Sequence, residues 1–312
     1  MSLLQGTTLH QIAFLLISAA TARAAQMGHW RLDGSDAGLR FVNSPTLIQG
    51  VFPDTRATHF DKDADCYAQI PHKIDLRGLS FTIAAWVKLS KDAVTRKSII
   101  SDWGSKKQFS FHVYETKLRI QRAAITSGHH VFFTTTTSLI IGSWHHVAVT
   151  WDQQMGFAKL YIDGLMDTEG SFDRSEEYNE AAAEAVIGDT EDPLYNQQFT
   201  GSIMDLYLFD EVKTNEDIND LRAPMDESMV FMYHQGNLTG HVMSSHAGFD
   251  RRICIVLCAR TSTCASFNHQ PTGGTCELSN ATRGEYTGDF VALNDVHYYE
   301  RLPFTLISMN KT

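Results

Sequence analysis

Apolar and polar residues alternate in short runs between about residues 28 and 203, and turn residues separate the runs. In residues 81–89 the odd-numbered positions are all apolar, which is typical of a strand that buries one face. The Asp163-Gly164 pair favours a hairpin turn, because both residues tolerate positive φ. Further strands are predicted from the same pattern at 97–101, 109–114, 117–121, 130–135, 145–151, 159–162, 185–187 and 202–209. Many short strands with regular turns predict a mainly β fold, either a sandwich or a barrel.

The alternation ends after this region, and residues 213–221 predict one short helix. Thr214 or Asn215 is suited to cap its first turn, while Glu216 and Asp217 suit the positive end of the helix dipole. Residues 223–228 follow as a linker. The chain is therefore predicted to have two domains.

Four of the five cysteines lie close together after this linker, at Cys254, Cys258, Cys264 and Cys276. The first two share one face of a predicted helix, because residues four apart are neighbours at 3.6 residues per turn. The other two lie in strand-like segments that a turn at 270–274 separates. Four cysteines allow three disulfide connectivities, and a zinc site is the alternative. The paired CxxC knuckles of zinc ribbons are absent, so disulfides that join a helix to a hairpin are favoured.

Several segments of the first region, taken in order, resemble the laminin-G-like domains of the concanavalin A-like superfamily over residues 27–222. They are GHWRLDG at 28–34, FTIAAW at 81–86, GSWHHVAV at 142–149, LYIDG at 160–164 and GSIMDLYLF at 201–209. The resemblance implies a jelly-roll sandwich of two antiparallel sheets. It also implies ligands such as proteins, glycosaminoglycans or other glycans, often with calcium at one rim of the sandwich.

The cysteine spacing x3, x5 and then x2 to Phe267, followed by Cys276-x-Leu278, resembles the core of a PAN/apple domain over residues 229–301. The resemblance implies a small α+β fold in which Cys254 pairs with Cys276 and Cys258 pairs with Cys264. The outer cysteine pair of true apple domains is absent from this sequence, which puts apple-specific partners in doubt. Residues 302–312 form a short C-terminal tail.

Residues 1–24 have the pattern of a signal peptide, since an apolar run at 12–20 precedes the small-residue cleavage pattern Ala22-Arg-Ala24. This run is far shorter than the about 20 residues that span a bilayer. We therefore expect a secreted, extracellular protein without a membrane span. The sequons at Asn237 and Asn280 agree with that compartment and are the predicted glycosylation sites. The formal net charge of −10 argues against nucleic acid as a partner.

Concanavalin A-like folds include glycoside hydrolases, so an enzyme is the main rival hypothesis. Retaining hydrolysis needs two carboxyl groups about 5 Å apart. The predicted strands carry no two carboxylates on one face at the required spacing, and the acidic residues at 176–177 and 180–184 read as a solvated surface. We therefore expect no catalytic residues and no enzymatic activity.

Calcium is the one cofactor that enters as a hypothesis, because it prefers the oxygen ligands that rim loops of a sandwich supply. The candidate ligands follow or border predicted strands, and they are Asp102, Asp152, Asp189 and Asp192. The alternative for each is an ordinary turn aspartate.

Cys66 lies outside the group of four cysteines. We expect a buried strand thiol, and the alternative is an exposed thiol that links two chains in a disulfide-bonded dimer. The pairs His129-His130 and His145-His146 are not expected to chelate one metal ion, because adjacent strand residues face opposite sides. His145-His146 is interpreted as packing and hydrogen bonding.

Together these patterns predict a secreted, non-enzymatic binding protein that mediates extracellular protein or glycan interactions of the adhesion or matrix type. The two domains are expected to bind different ligands and to gain avidity from their linkage. One alternative is a soluble calcium-dependent lectin. A glycan-active hydrolase is the third hypothesis.

Overall fold

The computed structural model describes residues 26–52, 55–90, 96–104, 106–181, 183–190, 197–223 and 231–301. The predicted signal peptide and C-terminal tail lie outside these residues. Within them, the first domain is built from fifteen strands and one helix. The strands are β1 Gln26–Trp30, β2 Arg40–Val42, β3 Thr46–Gln49, β4 Arg56–Phe60, β5 Tyr67–Gln69, β6 Phe81–Leu89, β7 Lys97–Asp102, β8 Phe109–Tyr114, β9 Lys117–Ala123, β10 His130–Ser138, β11 Trp144–Asp152, β12 Phe157–Ile162, β13 Leu165–Ser171, β14 Val186–Ile187 and β15 Gly201–Phe209, and the helix is α1 Asn215–Arg222.

These strands form two antiparallel sheets that pack as a jelly-roll-like sandwich. The eight-stranded sheet has the order β13-β12-β11-β6-β15-β4-β3, and β1 also pairs with β15. The seven-stranded sheet has the order β10-β9-β8-β7-β14-β5-β2. Large apolar side chains such as Phe81, Phe111 and Trp151 fill the space between the sheets with no exposed surface. The predicted fold class is confirmed.

The odd-numbered residues of β6 face this core, as the alternation predicts. The expectation that β6 buries only one face is wrong, because Thr82 and Trp86 on its other face are buried too. Helix α1 covers part of that face: Ile218 packs on Ala84 and Ala148, whose small side chains leave room for it. The predicted helix cap is present, since the Thr214 hydroxyl accepts a hydrogen bond from the backbone N–H of Asp217.

The second domain has a five-stranded sheet of order β16-β22-β19-β20-β18 and a two-stranded sheet of β17 and β21. Its elements are β16 Phe231–Gln235, β17 Asn237–Leu238, β18 Val242–His246, α2 Arg251–Arg260, β19 Ser266–Gln270, β20 Thr275–Ser279, β21 Phe290–Val291 and β22 His297–Arg301. Disulfides join Cys254 to Cys276 and Cys258 to Cys264, the pairing that the PAN/apple resemblance implies. They attach α2 to the sheet beneath it.

The two domains share one apolar cluster, in which Trp86 and Met204 of the sandwich meet Ile253 and Leu257 of α2. An ion pair also joins the two domains. The buried guanidinium of Arg222 donates to a carboxylate oxygen of Asp250 at 2.6 Å. The indole N–H of Trp86 donates to the carbonyl of Arg222 at 3.2 Å. The second domain is therefore packed against the outer face of the eight-stranded sheet. Ala223, the first residue of the predicted linker, is the buried C-cap of α1.

Candidate functional site

The outer face of the seven-stranded sheet carries polar side chains across three neighbouring strands. In β8, Phe109, Phe111 and Val113 point into the core, so the residues between them point outward. The pairing register places outward residues of β7 and β9 beside them. We call this set the polar face, and it consists of Ser98, Ser101, Ser110, His112 and Gln121. All five side chains are buried.

Several atoms of the polar face are buried without a hydrogen-bond partner. They include Ser98 Oγ, His112 Nε2 and Gln121 Oε1. Gln197 adds both atoms of its amide, and it lies beside the face because its carbonyl accepts from the N–H of Ser98 at 2.8 Å. Leaving one such group unpaired costs about 1–3 kcal/mol. A ligand that offers both donors and acceptors would remove this cost at several positions.

His112 is neutral at physiological pH. Burial, followed by the charges of Arg96 and Arg119, lowers its pKa to about 3. Its Nδ1 lies 3.0 Å from Ser110 Oγ, and its Nε2 has no partner. In either tautomer the ring therefore offers one neutral hydrogen-bonding group to a ligand.

Gln121 offers an acceptor. Its Nε2 lies 2.7 Å from Nδ1 of His130. Partial burial and the charges of Lys107 and Arg96 lower the pKa of His130, so the neutral ring accepts from this amide N–H. The other side-chain atom, Oε1, is then the free acceptor. His130 is held in place by an edge-on contact with Trp103, with ring centroids 5.3 Å apart.

Aromatic rings and one cation border the polar face. The guanidinium carbon of Arg119 lies 4.8 Å from the ring centroid of Tyr114 and 5.0 Å from that of Phe132. Its Nε donates to the Thr134 hydroxyl at 2.8 Å. The Phe132 side chain is 53% exposed, so its ring is available for stacking. The face thus combines neutral polar groups with an accessible aromatic surface.

The predicted calcium ligands have different surroundings. Asp102 is buried at the end of β7. Asp189 is half-buried, and this burial raises its pKa to about 6. Asp152 instead stabilises its own turn, because its Oδ1 accepts from the backbone N–H groups of Gln154 and Met155. Asp192 lies outside the described residues.

No group of three or more His, Cys, Asp or Glu side chains is placed to hold a metal ion in the part of the chain that the structure describes. Calcium takes six to eight oxygen ligands. These ligands can include backbone carbonyls and water, so the calcium hypothesis stays a prediction that includes Asp192.

The other predicted sites have different surroundings. Asn280 is exposed, whereas Asn237 is half-buried in β17 and its Oδ1 is buried without a partner. Glycosylation at both sequons stays a prediction.

Cys66 is a buried free thiol whose sulfur lies 3.0 Å from the backbone nitrogen of Asp61. A disulfide to a second chain would need this thiol to become exposed.

The histidine pair in β11 acts as predicted. His145 Nδ1 lies 2.8 Å from the Asp163 carboxylate, and its Nε2 accepts from the N–H of Ile140 at 3.0 Å. His146 is buried on the opposite side of the strand against Trp86, with ring centroids 5.4 Å apart. The two rings do not face a common site.

The sequence analysis did not identify the polar face. One signal was present, since the alternation in 109–114 already puts Ser110 and His112 opposite the apolar residues of β8. The pairing of β7, β8 and β9 and the position of Gln197 depend on the tertiary structure.

Among the described residues, no helix is long and apolar enough to cross a membrane.

Comparison with solved structures gives the following similarities. The binding domain of Paraclostridial Mosquitocidal Protein 1 superposes with a TM-score of 0.51 and 10% identity over 70% of this chain and 57% of that one, which shows the fold alone. Domain 4 of AbnA, a GH43 extracellular arabinanase from Geobacillus stearothermophilus, has a TM-score of 0.47 and 16% identity over 64% of this chain and 98% of that one.

In sequence, the chain is 29% identical over 93 residues to the rat (Rattus norvegicus) Sushi, von Willebrand factor type A, EGF and pentraxin domain-containing protein 1. The match covers 28% of this chain and 3% of that protein. The PAN domain family matches residues 230–303. The concanavalin A-like lectin/glucanases superfamily matches residues 62–219, just over half of the chain. The chain therefore belongs to the concanavalin A-like lectin/glucanases superfamily and carries a PAN domain after the superfamily domain.

Proposed function

We propose that this protein is a secreted, non-enzymatic binding protein that recognises an extracellular glycan through the polar face. The observation that carries the proposal is the set of buried, unpartnered groups on Ser98, His112, Gln121 and Gln197. Native proteins pair nearly all buried polar groups, so several unpaired groups on one face point to a ligand.

The chemistry of these groups favours sugar hydroxyls, because each hydroxyl both donates and accepts hydrogen bonds. Among the described residues the unpartnered groups of the face are hydroxyl, amide and imidazole. Hydrolysis would instead need two carboxyl groups across the bond to be cleaved. The exposed Phe132 ring beside the face supplies a stacking surface, and Arg119 supplies a positive charge. This combination supports binding rather than turnover.

Domains of extracellular type, with two disulfides in the second, agree with a secreted protein. The PAN domain is then a second binding module that is fixed against the opposite side of the sandwich. It packs on the eight-stranded sheet, so the residues of the polar face are not part of the cluster that joins the two domains.

The test is binding of residues 25–312 to a glycan array, first in calcium and then in EDTA. We expect selective binding that Gln121→Met reduces about tenfold, since this change removes an acceptor from a buried site at similar volume. Gln154→Met is the matched control, because Gln154 is exposed in the turn between β11 and β12. It should bind like the wild type.

Each other outcome of the array experiment supports a different conclusion. Binding that persists in EDTA supports recognition by the polar face, whereas selective loss in EDTA favours the calcium-dependent lectin. A blank array with folded, disulfide-intact protein contradicts the proposal and favours a protein partner. Hydrolysis of any bound oligosaccharide contradicts the non-enzymatic assignment.

A further inference from the structure

A second group of unpartnered polar atoms lies inside the sandwich, near the end of β9. Arg122 is fully buried, and its Nε and Nη1 have no hydrogen-bond partner. The same holds for Gln108 Nε2 and the Tyr178 hydroxyl. We call these four atoms the donor group, because each carries a hydrogen that it can donate.

Contacts connect the three side chains that carry the donor group. Arg122 Nη2 donates to the carbonyl of Leu76 at 2.8 Å, and the N–H of the same residue donates to Gln108 Oε1 at 3.0 Å. The second bond also fixes the orientation of the Gln108 amide, so that Nε2 is the unpartnered end. The guanidinium carbon of Arg122 lies 3.9 Å from the ring centroid of Tyr178.

The positive charge of Arg122 has no carboxylate partner at hydrogen-bond distance among the described residues. Its environment is a cage of Phe81, Trp151 and Tyr178, whose rings attract the charge without accepting conventional hydrogen bonds. Asp75, the acidic residue that interacts with it over a longer range, binds Arg77 at 2.6 Å instead. Buried charges are normally paired.

We propose that the donor group binds a small monovalent anion of the chloride type inside the sandwich. An anion beside the guanidinium accepts from the donors within its reach and neutralises the positive charge at the same time. A water molecule accepts from two of them and leaves the charge unpaired. Burial lowers the pKa of Arg122 to about 10 and raises the pKa of Tyr178, so at neutral pH the arginine remains charged and the phenol remains a donor.

The test follows thermal unfolding of the secreted chain while sodium chloride replaces sodium gluconate from 1 to 100 mM at constant ionic strength. For a dissociation constant of about 10 mM, we expect Tm to rise by about 3 °C, steeply at first and then only with the logarithm of the chloride concentration. Gln108→Glu introduces a carboxylate beside Arg122 and should abolish the chloride response. Gln154→Glu adds the same charge at an exposed position and should keep it.

Tyr178→Phe retains the ring and removes one donor, so it tests the site with little risk to folding. It should raise the chloride concentration needed for the same rise in Tm about tenfold. Crystals soaked in sodium bromide should show an anomalous peak within hydrogen-bond distance of Arg122. A Tm that is independent of chloride, or that rises linearly with chloride up to about 100 mM, overturns the proposal. An unchanged response in Tyr178→Phe overturns it as well.

Discussion

The outer faces of the two sheets of the sandwich differ in what covers them and in the polarity of their side chains. On the eight-stranded sheet, Trp86 and Met204 are covered by the PAN domain and Ala84 is covered by α1. On the seven-stranded sheet, His112 and Gln121 are buried with unpartnered atoms. An apolar outer face gains stability from a cover made by the same chain, because apolar area leaves water. A polar outer face gains from a partner that restores its hydrogen bonds.

The largest expected effect follows from removing the central side chain of the covered face. Trp86→Ala should lower the free energy of unfolding by about 3–5 kcal/mol, because it opens a cavity between the two domains and removes the bond to the Arg222 carbonyl. Urea unfolding of the secreted chain measures this loss. A loss below about 1 kcal/mol would show that the PAN domain contributes little to covering this face.

For a single residue, a smaller effect is expected from pH between 6.5 and 5, because each outer face contains one buried histidine. The pKa values of His112 and His146 are both lowered to about 3 by burial, against 6.5 for an unperturbed ring. Below pH 6.5 the unfolded chain therefore binds protons that the folded chain does not. Stability should fall as pH falls from 6.5 toward 3, by about 1.4 kcal/mol per pH unit for each histidine.

Urea unfolding between pH 6.5 and 5 measures this slope, since most carboxylates titrate below that window. His112→Gln and His146→Gln should each reduce the slope by up to about 1.4 kcal/mol per pH unit. A slope that neither variant changes would contradict the burial of both neutral rings. A saturating glycan should raise stability without changing either contribution, because both folded rings are already neutral in this window.

The smallest expected effect on stability comes from the border of the polar face. Phe132→Ala should change the free energy of unfolding by no more than about 0.5 kcal/mol, because the ring is largely exposed. The same variant should weaken glycan binding several-fold, since it removes a stacking ring worth about 0.5–1.5 kcal/mol. Equal binding by Phe132→Ala and wild type would place the ligand away from this border.

Local patterns predicted much of the fold. The alternation in 109–114 and 81–89 gave strands with the observed bounds, and Thr214 caps the predicted helix. Strand β13 was not predicted, because Leu165–Ser171 contains few apolar residues and is placed by pairing with β12. The polar face was missed for a related reason. Ser98 and Gln121 are far apart in sequence and meet only across the paired strands.

The sequence by itself determined the mainly β fold, the helix cap and the supply of cysteines for two disulfides. These depend on spacing along the chain, where a period of two or of 3.6 residues places side chains on definite faces. The tertiary structure decided which outer face the PAN domain covers, that Arg122 is enclosed by three aromatic rings, and that the polar residues of β7, β8 and β9 share one face. The physical reason is that burial is a property of packing: alternation gives a strand two faces, but only contacts between distant segments decide what lies against each of them.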